Sequence, residues 1–331
     1  MTILVTGAGG FLGQAIVRRL RHRGLAVRGL NRRTYPALQA LDVEQIQGDI
    51  ADRETVFQAV SGCEAVFHVA ALAAVWGKAE TFDRINTGGT RNVIEACRQF
   101  GVRRLVYTSS PSVTFDGSDQ EGVDESAPYP QKFLAHYPRT KAAAEQLINQ
   151  ANDRELATVS LRPHLIWGPG DNHLLPRLLE RHKANQLKIV GDGGKLVDSV
   201  YIDNAADAHL AAFDRLDLQS AIGGKNYFIS NGEPKPMGWL INQLLQASGL
   251  SSVKSRVSAG LAYTAGAVLE GCYRWMGLKT EPRMTRFVAR QLATAHWFDI
   301  NAAKRDLGYR PVISIEEGLR QLAAAQNPGH Q

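Results

Sequence analysis

The sequence predicts an α/β fold: a doubly wound parallel sheet followed by a smaller, less regular C-terminal region. Three observations carry this reading. Through the first 165 residues, short β-branched and apolar runs alternate with longer helical patterns. Glycines 7, 10 and 13 stand directly between the first strand and the first helix. Beyond about residue 165 the texture changes, and loops at 168–171, 191–194 and 232–236 separate shorter helices. Strands that alternate with helices pair in parallel, because each crossover carries the chain back over a sheet face.

The predicted strands are residues 3–5, 25–30, 44–47, 65–69, 104–108 and 158–161. The predicted helices are 11–23, 53–60, 81–100 and 137–151. In the first helix, apolar residues at 12, 16, 17 and 20 make a single stripe. A chain of 331 residues fits two domains of roughly 150 residues each. Residues 1–165 form the first, with some later segments returning to it, and 166–331 form mainly a substrate-binding region.

Composition narrows the class. With 44% hydrophobic and 21% charged residues, disorder, collagen and coiled coil are excluded for the chain as a whole. The net charge of +6 is mild. Its densest basic run, 18–23, lies on a predicted amphipathic helix, which reads as a solvated face and not a nucleic-acid surface. Cys63, Cys97 and Cys272 form neither a CxxC pair nor an even set, and read as buried small hydrophobes in a reducing compartment. No His/Cys/Asp/Glu cluster has metal-ligand spacing, so no metal is expected. The opening residues lack a basic segment ahead of an apolar stretch, which points to a cytoplasmic protein. The most membrane-like segment, 259–278, contains Glu270, Arg274 and four glycines and falls short of a spanning helix. Lying on a membrane, or covering an apolar substrate, both fit it.

The glycine triplet carries the first chemistry. Gly7 permits a tight turn, Gly10 lets backbone approach a pyrophosphate, and Gly13 lets helix pack closely on strand. With Phe11 and Leu12, these residues open a helix whose free N–H groups and positive dipole suit an anion. After the first strand of a βαβ unit, this is the signature of a Rossmann sheet binding a dinucleotide. The end of the second strand selects the cofactor. A carboxylate there would hold a ribose 2′-hydroxyl and repel a 2′-phosphate. This chain places Asn31, Arg32 and Arg33 there. Two guanidiniums suit a phosphate dianion, so NADP(H) is expected in preference to NAD(H), with a pair of solvated arginines as the bland alternative. Asp49 and Ile50 follow the third strand and could bracket the adenine, although Asp49 alone reads equally well as a helix N-cap.

A second constellation supplies the reaction. Tyr137 and Lys141 are four residues apart, which puts both on one helix face. Upstream, Tyr107-Thr108-Ser109-Ser110 ends a predicted strand, where open α/β sheets bind ligands. Together these make a carbonyl-reduction site. Ser110 polarises the carbonyl, Tyr137 donates the proton, and the Lys141 charge lowers the phenol pKa. The Ser109-Ser110 doublet leaves the choice of hydroxyl open, with Ser110 favoured.

At this point the chain resembles the extended short-chain dehydrogenase/reductases, on the N-terminal GxxGxxG, Ser110, the YxxxK at 137–141 and Arg162-Pro163 after a late strand. Within them it is most similar to the 3β-hydroxysteroid dehydrogenase type. The stretches at 109–113, 161–173 and 229–234 look most like one branch, the bacterial 2-alkyl-3-oxoalkanoate reductases of long-chain olefin biosynthesis. The resemblance implies pyrophosphate contacts from Gly7, Gly10 and Gly13, and adenine contacts from Asp49 and Ile50. It places Ala70-Ala71 near the nicotinamide ribose, Lys141 also on that ribose, and Pro163 on the nicotinamide side. Asn86 is implied as a structural residue, and a homodimer through the central helices is implied as the assembly. Pro111-Ser112-Val113-Thr114-Phe115 departs from the epimerase pattern, which argues against sugar-nucleotide chemistry. Competing readings are a hydroxysteroid or sterol-carboxylate dehydrogenase and a non-catalytic NADP(H) sensor.

For the substrate, His164 and His173 are candidates to meet a carboxylate, with Arg177 and Lys195 weaker ones. His68 reads as a buried structural residue. The apolar residues of 259–287, including Leu261, Val268, Trp275 and Phe287, suggest a lid or channel for a lipid-like substrate's alkyl chains, or a core helix pair. Peripheral contact with a membrane or with pathway enzymes is compatible with them.

Overall fold

The computed structural model describes residues 1–326, so the last five residues of the expected second region lie outside it. Seven strands form one parallel sheet: β1 (Thr2–Thr6), β2 (Ala26–Asn31), β3 (Glu44–Gln47), β4 (Ala65–His68), β5 (Arg104–Thr108), β6 (Ala157–Pro163) and β7 (Asn226–Ile229). Their spatial order is β7-β6-β5-β4-β1-β2-β3. The chain winds outward from β1 to β3, then crosses back to β4, and a ligand crevice opens at that reversal. Along β1, Ile3 and Val5 belong to the core on one face and Leu4 to the core on the other. That alternation is the period-two consequence of a sheet covered on both sides.

On the first face lie α1 (Phe11–His22) and a later helix (Ile202–Arg215). On the second lie α2 (Arg53–Val60), α3 (Gly89–Gln99) and α4 (His136–Gln150). The basic run of α1 is not simply solvated, as its sequence suggested. Arg19 bonds Asp203 at 2.9 Å and also Asp207, and Arg23 bonds Asp214 at 2.8 Å. The acids come from Ile202–Arg215, nearly two hundred residues away, so a sequence window shows only one half of the docking pair.

The expected single helix over 81–100 divides. A short turn at Ala79–Phe82 passes into a wider π-type turn at Asp83–Gly88 before α3 begins. The cause is Asn86, whose buried amide accepts from the Leu72 N–H at 2.7 Å and donates to Leu72 O and Thr140 Oγ1. Such bulges recur where a side chain must be re-aimed.

The two regions interleave. β7 and Ile202–Arg215 return to the main sheet, while Gln120–Val123 leaves it to join a second, four-stranded sheet with His296–Phe298, Leu196–Val197 and Lys235–Pro236. The same region contains α5 (Leu174–Lys183), which packs on α6 (Met237–Ala247), and α7 (Ala259–Trp275), which packs on α8 (Arg286–Ala293). Helix α7 buries only Ala262, Gly266 and Glu270. A Cβ on Gly266 would come within 2.7 Å of the Thr285 backbone. Glu270 accepts from the Arg286 N–H at 2.7 Å and from its guanidinium at 2.8 Å. Cys272 is exposed on this helix, against expectation, while Cys63 and Cys97 are buried. Among the described residues, no helix is long and apolar enough to cross a membrane.

Candidate active site

The C-terminal ends of β1, β4, β5 and β6 converge. Gly7 has φ +70° and lies against Ala70, so that a Cβ on it would meet the Ala70 backbone at 3.0 Å. A Cβ on Gly13 would come within 2.1 Å of Gly7 O. Gly10 caps α1 with no side-chain bond, and the helix's first turn holds no acid. Free N–H groups, a positive helix end and a floor only glycine can form together fit a pyrophosphate. Phe11 and Leu12 follow as the first helical residues.

Asn31 faces the glycine turn and not solvent. It is buried, and its Oδ1 accepts from the Gly9 N–H at 2.7 Å, so it shapes the glycine turn from beneath. Arg32 and Arg33 are exposed. Among the described residues neither makes an ion pair, and Arg33 lies over the Tyr35 ring at 5.0 Å. Asp49 is not the N-cap of α2; Asp52 is. Asp49 accepts from the Ala51 N–H and pairs with Arg84 at 3.3 Å. Ile50 is buried beneath Gly89, where a Cβ would meet its side chain at 2.8 Å.

The catalytic candidates meet at the end of β5. Ser110 Oγ accepts from the Ser112 N–H, shares a hydrogen bond with Ser112 Oγ at 2.9 Å, and caps a short 3₁₀ turn at Pro111–Thr114. Ser109 is buried and its hydroxyl has no partner. Of the doublet, only Ser110 bears on the phenol. Burial pushes the Tyr137 phenol above its ordinary value, and the Ser110 hydroxyl opposes this by bonding the phenolate form. Lys141, one turn along α4, donates to Thr108 O at 2.5 Å and sits 4.2 Å over the Tyr107 ring. Burial brings its ammonium down to about 7, against the Glu145 carboxylate, which favours the charge. At Tyr137 burial outweighs the lowering influence of the Ser110 hydroxyl. Pro163 ends β6, buried opposite Ile229 of β7.

The four substrate candidates are dispersed. His164 is buried, with Nε2 2.7 Å from His296 Nδ1, while His296 Nε2 lies 2.7 Å from Gln291 O. A carbonyl only accepts, so His296 Nε2 carries its proton. His296 Nδ1 then accepts, and His164 Nε2 donates. Burial holds both histidines below their ordinary pKa. His164 Nε2 is thus committed to His296. Arg177 is taken by Glu281 at 2.8 Å and Lys195 by Asp119 at 2.5 Å. Lys195 lines a cavity of about 540 Å³ with Leu134, Tyr263 and Arg290, and Ser110, Tyr137 and Lys141 are not part of that lining. His173 is an exposed residue at the start of α5 whose N–H is held by Asp171. His68 is buried between Thr6 and Thr90 hydroxyls at 2.8 and 2.9 Å, and burial brings it down to about 3.

Sequence reasoning missed the support beneath Lys141. Glu145 accepts from Arg162 at 3.0 and 2.7 Å and from the Tyr129 hydroxyl at 2.7 Å, with both charged side chains essentially inaccessible. The available signal was Lys141 and Glu145 at i, i+4 on one face.

A glycine cradle under a sheet's switch point, beside a serine–tyrosine–lysine cluster, defines an NAD(P)-dependent oxidoreductase of the extended short-chain type. Residues 4–258 match the 3-beta hydroxysteroid dehydrogenase/isomerase family, and the chain belongs to it. The chain is 52% identical over 328 residues to the 2-alkyl-3-oxoalkanoate reductase of Stenotrophomonas maltophilia, covering 98% of this chain and 99% of that protein. It is 50% identical to the protein of the same name from Shewanella oneidensis, covering 97% and 85%. Among solved structures, MoeE5 in complex with UDP-glucose and NAD matches the whole of both chains with a TM-score of 0.75 at 25% identity.

Proposed function

We propose that the protein reduces a 2-alkyl-3-oxoalkanoate to the 2-alkyl-3-hydroxyalkanoate with NADPH, as a step of long-chain olefin biosynthesis. The observation that carries this is the buried Lys141 ammonium fixed on Thr108 O at the end of β5, one helical turn from Tyr137 and with Ser110 two residues beyond that strand end, in a chain half identical to two reductases of that name. When bound, the nicotinamide supplies the hydride. The chain supplies the rest. The Ser110 hydroxyl donates to the ketone oxygen and stabilises charge as it develops there. The Tyr137 hydroxyl, kept protonated by burial, delivers the proton to the same oxygen. Lys141, fixed by Thr108 O and backed by Glu145, places an adjustable positive charge beside them. Arg32 and Arg33, exposed and without acidic partners among the described residues, support the preference for a 2′-phosphate.

The test is turnover of purified protein with NADPH and NADH on 2-alkyl-3-oxoalkanoates and on 3-ketosteroids, alongside Tyr137→Phe. The expected result is NADPH-dependent reduction of the β-keto acids, lost by at least about a hundredfold in Tyr137→Phe with cofactor binding retained. Near-normal turnover in that variant refutes the mechanism, and preference for ketosteroids refutes the substrate.

A further inference from the structure

Helix α7 turns an apolar stripe to solvent. Leu261, Ala265, Val268, Cys272 and Trp275 recur at three- and four-residue intervals and are all exposed, Leu261 by 62%, Val268 by 59% and Trp275 by 88%. The helix's two charged residues do not interrupt it: Glu270 is buried against Arg286, and Arg274 lies over Trp76. Leu261, Val268 and Trp275 are thus not core residues, whereas Phe287, from the same apolar stretch, is buried.

Charge supplies a second, independent observation. Segments 174–190 and 251–286 are neighbours, joined by the pairing of Arg256–Val257 with Ile189–Val190 and by the Arg177–Glu281 bridge. Together they contain ten Lys and Arg against three Glu, a local excess of seven in a chain whose total is +6. The remainder of the molecule is therefore slightly acidic. The basic residues flank the stripe at both ends, with Lys254 and Arg256 before it and Lys279 and Arg283 after it, all exposed.

We propose that α7 lies in the surface of an anionic lipid bilayer, its Leu261–Val268–Trp275 stripe at the headgroup–acyl boundary and the flanking basic residues on acidic headgroups. Apolar burial and attraction to anionic lipid act together in such helices. A second copy of the chain fits less well, because a two-fold contact along antiparallel helices sets Lys254 and Arg256 beside the partner's basic C-terminal flank. A nucleic acid would meet an uncharged stripe where phosphates need cations. The helix is tied to the loop after β4, since Trp76 donates to Leu278 O at 3.3 Å and packs edge-on against Tyr273. The inference goes beyond the reduction and stands or falls separately from it.

The experiment is vesicle flotation of the full chain with equimolar phosphatidylglycerol and phosphatidylcholine, against phosphatidylcholine alone. The expected partition is at least about tenfold higher on the anionic vesicles and falls as salt is raised. A blue shift of tryptophan emission on binding should be absent in Trp275→Phe. Leu261→Glu with Val268→Glu should reduce partition at least about tenfold while NADPH binding, which reports folding, persists. Equal partition to both vesicle types, an unshifted Trp275 emission, or full vesicle binding by the double variant overturns the proposal. So does loss of a dimer in that variant with vesicle binding intact, since the stripe then belongs to a second copy.

Discussion

Exchanging Lys141 for methionine separates the electrostatics of the site from its shape. The Lys141 ammonium is buried, and its pKa is brought from 10.5 to about 7, chiefly by desolvation. Between those values the unfolded chain holds a proton that the folded chain has released, so stability rises with pH across that window. Below about 7 both states are protonated, and the full penalty for burying the charge is present. Each pH unit inside the window is worth about 1.4 kcal/mol, giving a ceiling near 5 kcal/mol. The Thr108 carbonyl and the Tyr107 ring face favour the charged form and trim that figure. Methionine has a similar length and does not titrate. The wild-type stability minus that of Lys141→Met therefore isolates the lysine, because every other titrating group is common to both. Urea unfolding of the cofactor-free proteins from pH 6 to 9 should show this difference flat up to about pH 7, then rising by about 2–3 kcal/mol by pH 9. A difference that stays flat throughout, or falls, refutes the assignment of a desolvated ammonium.

Other perturbations follow from the same geometry. Gly13→Ala places a Cβ 2.1 Å from Gly7 O and 2.9 Å from Ala8 Cα, both backbone atoms that cannot yield; it should destabilise by about 1–3 kcal/mol and weaken NADPH and NADH alike, and a normal melting temperature with intact titration curves contradicts this. Glu145→Gln leaves the Arg162 guanidinium buried without its counter-charge, which should reduce stability by about 3–5 kcal/mol in chemical denaturation; a loss under about 1 kcal/mol would show that the pair is solvated. Replacing Arg32 and Arg33 with alanine should raise the NADPH Kd at least about tenfold and leave that of NADH nearly unchanged. Equal losses for both cofactors reject the phosphate pocket.

The main sheet was readable because its signals are local. Ile3-Leu4-Val5, the glycines after it and the runs at 104–108 each announce their structure within a few residues, and β3 and β5 match the sequence reading to the residue. The glycine cradle and the Tyr137–Lys141 pair were legible for the same reason. What escaped was decided by partners far along the chain. His164 looked available until His296, 132 residues away, claimed its Nε2. Arg177 and Lys195 looked like free cations until Glu281 and Asp119 were seen opposite them. Asn31 lies at the expected place in the cofactor site, yet its amide turns inward to the Gly9 N–H, a choice of rotamer that no spacing encodes. The π-type turn at Asp83–Gly88 depends on what Asn86 finds in the loop at Leu72 and on α4, so the helical periodicity of 81–100 passed over it.

The seventh strand has a consequence for how the molecule comes into being. β6 is finished at Pro163, but its outer neighbour, Asn226–Ile229, is translated more than sixty residues later. A nascent chain emerging from the ribosome therefore carries a β6 whose every residue is buried in the finished fold, with one row of hydrogen-bonding groups unmet until the intervening segment has been made. Such an open edge invites pairing with a neighbouring chain. Biogenesis, more than the finished fold, is where this protein is most vulnerable to aggregation, and slowing translation between residues 163 and 226 should lower its soluble yield.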